Sequence, residues 1–139
     1  GDVDRRALGR LVFADAAARR DLEAIVHPAV YAEITAWMRV QDRPGRRWVL
    51  ADIPLLYETG HAGDFDRVIV ASCGRDTQVR RLMDRDGLSE ADALARVASQ
   101  WPVSRKAALA DYVVETDGSF DDTDRQVDAV ADALDRASG

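Results

Sequence analysis

The chain has 139 residues, 47% of them hydrophobic and 32% charged, with a net charge of -6 and an isoelectric point near 4.9. That length fits one domain able to bury a core without metals or disulfides. The acidic balance speaks against general binding to nucleic acid or to an anionic membrane, yet leaves room for one cationic phosphate pocket.

In chain order, the first expected element is a helix with Leu8, Leu11 and Val12 on one face. A second helix opens on Asp15 as N-cap, carries Leu22, Ile25 and Val26 on one face, and ends at His27-Pro28. Pro28 suits the first turn of a third helix bearing Val30, Ile34, Trp37 and Met38. Asp42-Arg43-Pro44-Gly45 then turns the chain into a short strand, Trp48-Val49-Leu50-Ala51. Two more apolar runs, Val68-Ile69-Val70-Ala71 and Tyr112-Val113-Val114, also read as strands. None alternates cleanly, which predicts a parallel sheet covered on both faces.

Between these strands, residues 76–83 read as a helix broken at Asp86-Gly87. Ser89 followed by Asp92 resembles a capping box for the next helix, which stops at Trp101-Pro102. A last helix over 122–136 carries Val127, Val130 and Leu134 on one face. A helical block followed by alternating strands and helices is an α/β pattern. Cys73 is the only cysteine, so no internal disulfide forms, and no Cys/His cluster has zinc spacing. No apolar run approaches the roughly 20 residues of a membrane span. The opening Gly1-Asp2-Val3-Asp4-Arg5 carries no signal-peptide h-region, so a cytoplasmic location is expected.

Four stretches carry chemistry. They are Leu22-Glu23-Ala24-Ile25-Val26-His27-Pro28, Asp52-Ile53-Pro54-Leu55-Leu56-Tyr57-Glu58, the run from Gln78 to Asp86, and Ala98-Ser99-Gln100 with Ala110-Asp111-Tyr112-Val113-Val114. Asp52 follows a strand at its carboxyl end, where it suits either Mg²⁺ beside a phosphate or a turn. Arg81 and Arg85 stand four apart and share a helix face, fit for a phosphoryl group or for solvent. His27 suits a ligand bond or a structural one at a helix end. Glu58 suits a cleft wall or an ion pair, Gln100 a backbone bond, and His61 an exposed loop. Trp37, Trp48 and Trp101 suit packing better than stacking on a ligand.

The order and spacing of these stretches resemble dephospho-CoA kinases. That resemblance implies a three-layer αβα P-loop kinase-like fold, incomplete here, with three parallel strands and a helical substrate-binding insertion. It implies that residues 1–45 are a helical portion of the CoA-substrate domain and 46–139 the α/β core, with a lid over about 81–105. It implies a transferase that uses ATP and Mg²⁺ to phosphorylate the 3′-hydroxyl of dephospho-CoA, the last step of coenzyme A biosynthesis. Arg81 and Arg85 would then be catalytic and, with Gln100, bind the nucleotide. His27, Pro28 and Glu58 would bind substrate, and Asp52 the metal.

The resemblance departs at one point. The family's glycine-rich phosphate loop ends in Gly-Lys-Ser/Thr, and these 139 residues contain no Gly-Lys pair, Lys106 being the only lysine. A preceding family segment with that loop, its carboxylate base and a central strand is therefore expected to be absent. The chain alone is then expected to be inactive and to self-associate through exposed strand edges. Two alternatives stand beside this reading: a non-catalytic module for a CoA-like ligand or partner chain, and another small-molecule P-loop kinase.

Overall fold

The computed structural model describes residues 3–138. The backbone divides into two compact units, the first ending at Ala51 and the second starting at Asp52.

The first unit holds helices α1 (Arg5–Ala14) and α2 (Ala16–Gln41), which pack on each other. Asp15 caps α2: its Oδ1 accepts the Ala17 N–H at 2.7 Å and the Ala18 N–H at 3.3 Å. The expected boundary at His27-Pro28 is absent, and α2 runs through it as one 26-residue helix with Pro28 inside. Proline removes one ladder bond and crowds the carbonyl four residues back, a cost of about 3 kcal/mol. The many strong helix formers on either side, Ala, Leu, Glu and Arg, carry the ladder past it. No residue of α2 is buried, and Ile25 is 73% exposed. The expected strand at 48–51 is also absent: residues 46–53 have no sheet assignment. A strand exists only through a ladder partner, and among the described residues this stretch has none. The sheet therefore has two strands, not three.

The second unit contains that sheet. Strands β1 (Ile69–Ser72) and β2 (Tyr112–Glu115) pair in parallel, with Ile69 opposite Tyr112 and Ser72 opposite Glu115. Between them run α3 (Arg75–Asp86), α4 (Glu90–Ala98) and α5 (Val103–Ala107), and α6 (Phe120–Ala137) closes the chain. Helix α3 packs on α4, α5 on β1, and α6 on β2. Among the described residues, Val70, Val79, Ala93 and Val114 are the buried apolar side chains. This is an α/β arrangement, with parallel strands joined by helices as the unalternating apolar runs require.

The helix ends follow local chemistry. Gly87, at φ 64°, ends α3 in the left-handed region, and its N–H returns to the Met83 carbonyl. Ser89 caps α4 by accepting the Asp92 N–H. The reciprocal box lies instead at α6, where Ser119 and Asp122 each accept the other's backbone N–H. Two carboxylates bracket β1: Asp111 accepts the Val68 N–H at 2.8 Å and Asp117 the Gly74 N–H at 2.6 Å.

Candidate functional site

The second unit alone builds a cavity of about 1040 Å³ along β1. One wall is the segment from Asp52 to Tyr57, another is α3, and the rim is the α4–α5 junction. Parallel packing puts the carboxyl ends of β1 and β2 side by side, so the loops after them, at Cys73 and Thr116, share one edge of the sheet. That edge is where ligands bind in open parallel sheets.

Helix α3 brings Arg81 and Arg85 to the cavity, one turn apart as their spacing requires. Arg80 does not line it. Arg81 is tied to the end of β2: Nη1 donates to Thr116 Oγ1 at 2.8 Å and Nη2 to the Thr116 carbonyl at 2.5 Å. Arg85 extends further out and forks onto Asp86, with Nε at 2.7 Å and Nη2 at 3.0 Å. Arg96 from α4 reaches the same Asp86 carboxylate at 2.6 Å. Hydrogen bonding from Arg85 holds the Asp86 carboxyl below its ordinary range. The basic groups lining the cavity are thus Arg81, Arg85, Arg96 and Lys106, against Asp52 and Asp84. Asp86 pairs with Arg85 and Arg96, and Glu58 with Lys106, so these charges are largely balanced, while Arg81 is held by Thr116 rather than by a carboxylate.

Asp52 is exposed at the cavity wall and makes no hydrogen bond among the described residues. Gln100 lines the rim, where its Oε1 lies 3.4 Å from Lys106 Nζ. Glu58 forms an ion pair: its Oε1 lies 2.6 Å from Lys106 Nζ and accepts the Trp101 N–H at 2.9 Å. Its Oε2 is buried and unpartnered. His27, half-buried, and Pro28, exposed, lie within α2 in the first unit. His61 is half-buried, with Nδ1 2.6 Å from Asp64.

Several site residues were not singled out from the sequence. Lys106 gave one signal, being the only lysine among 19 basic residues. Trp101 has two partners at its ring, Tyr57 and Arg105. Tyr57 stacks on it at 6.4 Å with planes 14° apart, and the Arg105 guanidinium carbon sits 3.4 Å from its ring centre. Burial, then the Asp111 charge, raises the Tyr57 phenol above its ordinary value. Its hydroxyl finds no partner.

The model of the dephospho-CoA kinase family matches residues 1–122. The chain belongs to that family. Among dephospho-CoA kinases, that of Symbiobacterium thermophilum is 50% identical over 131 residues, which are 93% of this chain and 54% of that protein. A Thermus thermophilus protein of known crystal structure superposes with a TM-score of 0.76 at 38% identity, covering 96% of this chain and 69% of that one. The dephospho-CoA kinase from Campylobacter jejuni gives 0.69 at 29% identity, covering 99% and 68%. The chain thus spans about half the length of its Symbiobacterium relative. Both solved structures agree with the α/β architecture.

Proposed function

We propose that this chain forms the lid and much of the body of an ATP-dependent kinase that phosphorylates the ribose 3′-hydroxyl of dephospho-CoA. The observation that carries the reading is the pair Arg81 and Arg85, facing one cavity beside the carboxyl edge of a parallel sheet in a member of this family. Phosphoryl transfer needs little covalent chemistry from the protein. It needs positioning and positive charge around the transferring group.

In this reading the two guanidinium groups stabilise charge on the equatorial phosphoryl oxygens. Arg81 does so after leaving Thr116, whose hydroxyl and carbonyl hold it in the present arrangement. Gln100 orients the nucleotide from the rim, and His27 and Pro28 serve the dephospho-CoA side. Asp52 fits Mg²⁺, since that ion takes one or two carboxylates and fills its shell with phosphate oxygens and water. Bound there, it would neutralise phosphate charge. Glu58 is assigned a supporting role, because its Oε1 is already held by Lys106 and Trp101.

A second reading concerns part of the same cavity. It follows β1 from Val68 to Cys73, and among the described residues β1 pairs only with β2. The length along β1 suits an added strand, and the end that bears the Arg81 and Arg85 guanidinium groups suits phosphate.

The test joins the part of the Symbiobacterium relative that lies outside the match to this sequence and follows ADP and CoA formation from ATP and dephospho-CoA. The joined protein is expected to turn over, and the 139-residue chain alone to give no CoA. Turnover with shikimate or a nucleoside monophosphate, and none with dephospho-CoA, would reject the reading.

A further inference from the structure

Lys106 is the point where three wall segments of the cavity converge. Its ammonium has three N–H donors, and three acceptors surround it: Glu58 Oε1 at 2.6 Å, the Pro54 carbonyl at 3.4 Å and Gln100 Oε1 at 3.4 Å. Pro54 belongs to the wall after Asp52, Gln100 to the turn between α4 and α5, and Lys106 itself to α5. Glu58 Oε1 adds a fourth tie through the Trp101 N–H at 2.9 Å. The Lys106 and Glu58 side chains are only 13% and 15% exposed, so their attraction is weakly screened. Neither has an alternative ionic partner among the described residues.

We propose that Lys106, paired with Glu58, is a positioning residue that holds the Asp52–Pro54 wall and the α4–α5 rim at the separation the ligand requires. The inference rests on the reading of this cavity as the kinase's ligand site. Lys106 acts through the groups it ties down. A neutral side chain there leaves Glu58 buried without its cation and frees Pro54 and Gln100, so the wall and rim drift apart. An arginine keeps the charge and the donors.

The experiment uses the 139-residue chain and its variants Lys106→Met, Lys106→Arg and Glu58→Gln. Dephospho-CoA binding is measured by calorimetry well below each variant's unfolding midpoint, and the backbone amide resonances of Ile53, Tyr57, Gln100 and Trp101 are followed by NMR. Lys106→Met is expected to shift all four resonances together and weaken binding by on the order of tenfold, since displacing groups by an ångström is costly. Lys106→Arg should recover most of the affinity. Unshifted resonances in a folded Lys106→Met protein overturn the proposal. Shifted resonances with unchanged affinity also overturn it, because the node then serves the fold alone. If Lys106→Met does not fold, Glu58→Gln decides by the same two readouts. A wild-type chain that fails to bind dephospho-CoA counts against the kinase reading, and the resonances alone then decide the tie.

Discussion

Lys106 Nζ lies 2.6 Å from Glu58 Oε1, with both side chains largely withdrawn from water. Burial pushes the Glu58 carboxyl up, and the Lys106 and Trp101 hydrogen bonds more than offset it, leaving the group below its ordinary value. A carboxyl depressed on folding contributes stability that is complete above its unfolded value, near 4.5, and is lost as pH falls through the folded one.

The chain should therefore lose stability on acidification below about pH 5. Glu58→Gln should flatten that acid limb while lowering stability at neutral pH. Urea midpoints over a pH series check both. An unchanged acid limb in Glu58→Gln would assign the titration to other carboxylates.

Removing either partner should be costly, because each leaves the other's charge buried and without an ionic partner among the described residues. A loss of about 3 kcal/mol is expected for Lys106→Met, the low end for breaking a buried pair. Denaturant unfolding of the single and double variants measures it, and the double variant should be less destabilised than Lys106→Met.

Arg81 and Arg80 are adjacent, yet only Arg81 lines the cavity and reaches Thr116. In the joined protein, Arg81→Ala should lower turnover by about 10²–10³. Arg80→Ala should change it little. Steady-state rates with saturating ATP compare them, and equal mild effects would mean that α3 presents a solvated face.

Two glycines should respond with opposite signs. Gly87 sits at φ 64°, so Gly87→Ala should lower stability by about 1 kcal/mol. Gly9 lies inside α1, and an added Cβ there meets nothing within 4 Å among the described residues. Gly9→Ala should raise stability by a similar amount, up to about 1 kcal/mol. Thermal unfolding of both variants reads the difference.

The edge of β1 away from β2 has no ladder partner among the described residues. Self-association of the 139-residue chain is expected through such an edge. Sedimentation over a concentration series checks it, and a strictly monomeric species at all concentrations would oppose it.

Local signals were the ones legible in the sequence. Asp15, Gly87 and Ser89 act on backbone groups two to four residues away, and each caps where its chemistry indicates. Arg81 and Arg85 face one cavity because helical spacing alone puts them together. The misreadings at Pro28 and at 48–51 share a cause. A proline boundary is a local preference that a long helix overrides, and a strand depends on a partner elsewhere in the chain. Lys106 was missed for a related reason. Its three acceptors lie as far as 52 residues away in sequence, and no periodicity announces contacts of that kind.

The two carboxylates flanking β1 share the sheet's own offset. Asp111 and Val68, like Asp117 and Gly74, are 43 residues apart, as are Ile69 and Tyr112 in the ladder. The ladder is thus keyed at both ends. Sliding β2 by one residue would turn Val114 out of the core and pull both carboxylates off their amides together. Variation in the intervening α3–α5 region can change the contents of the cavity, but one in-frame residue more or less must be absorbed in a loop before it reaches the strands. The loops beside Gly87 and Trp101 are where evolution or a designer could add length without losing the key.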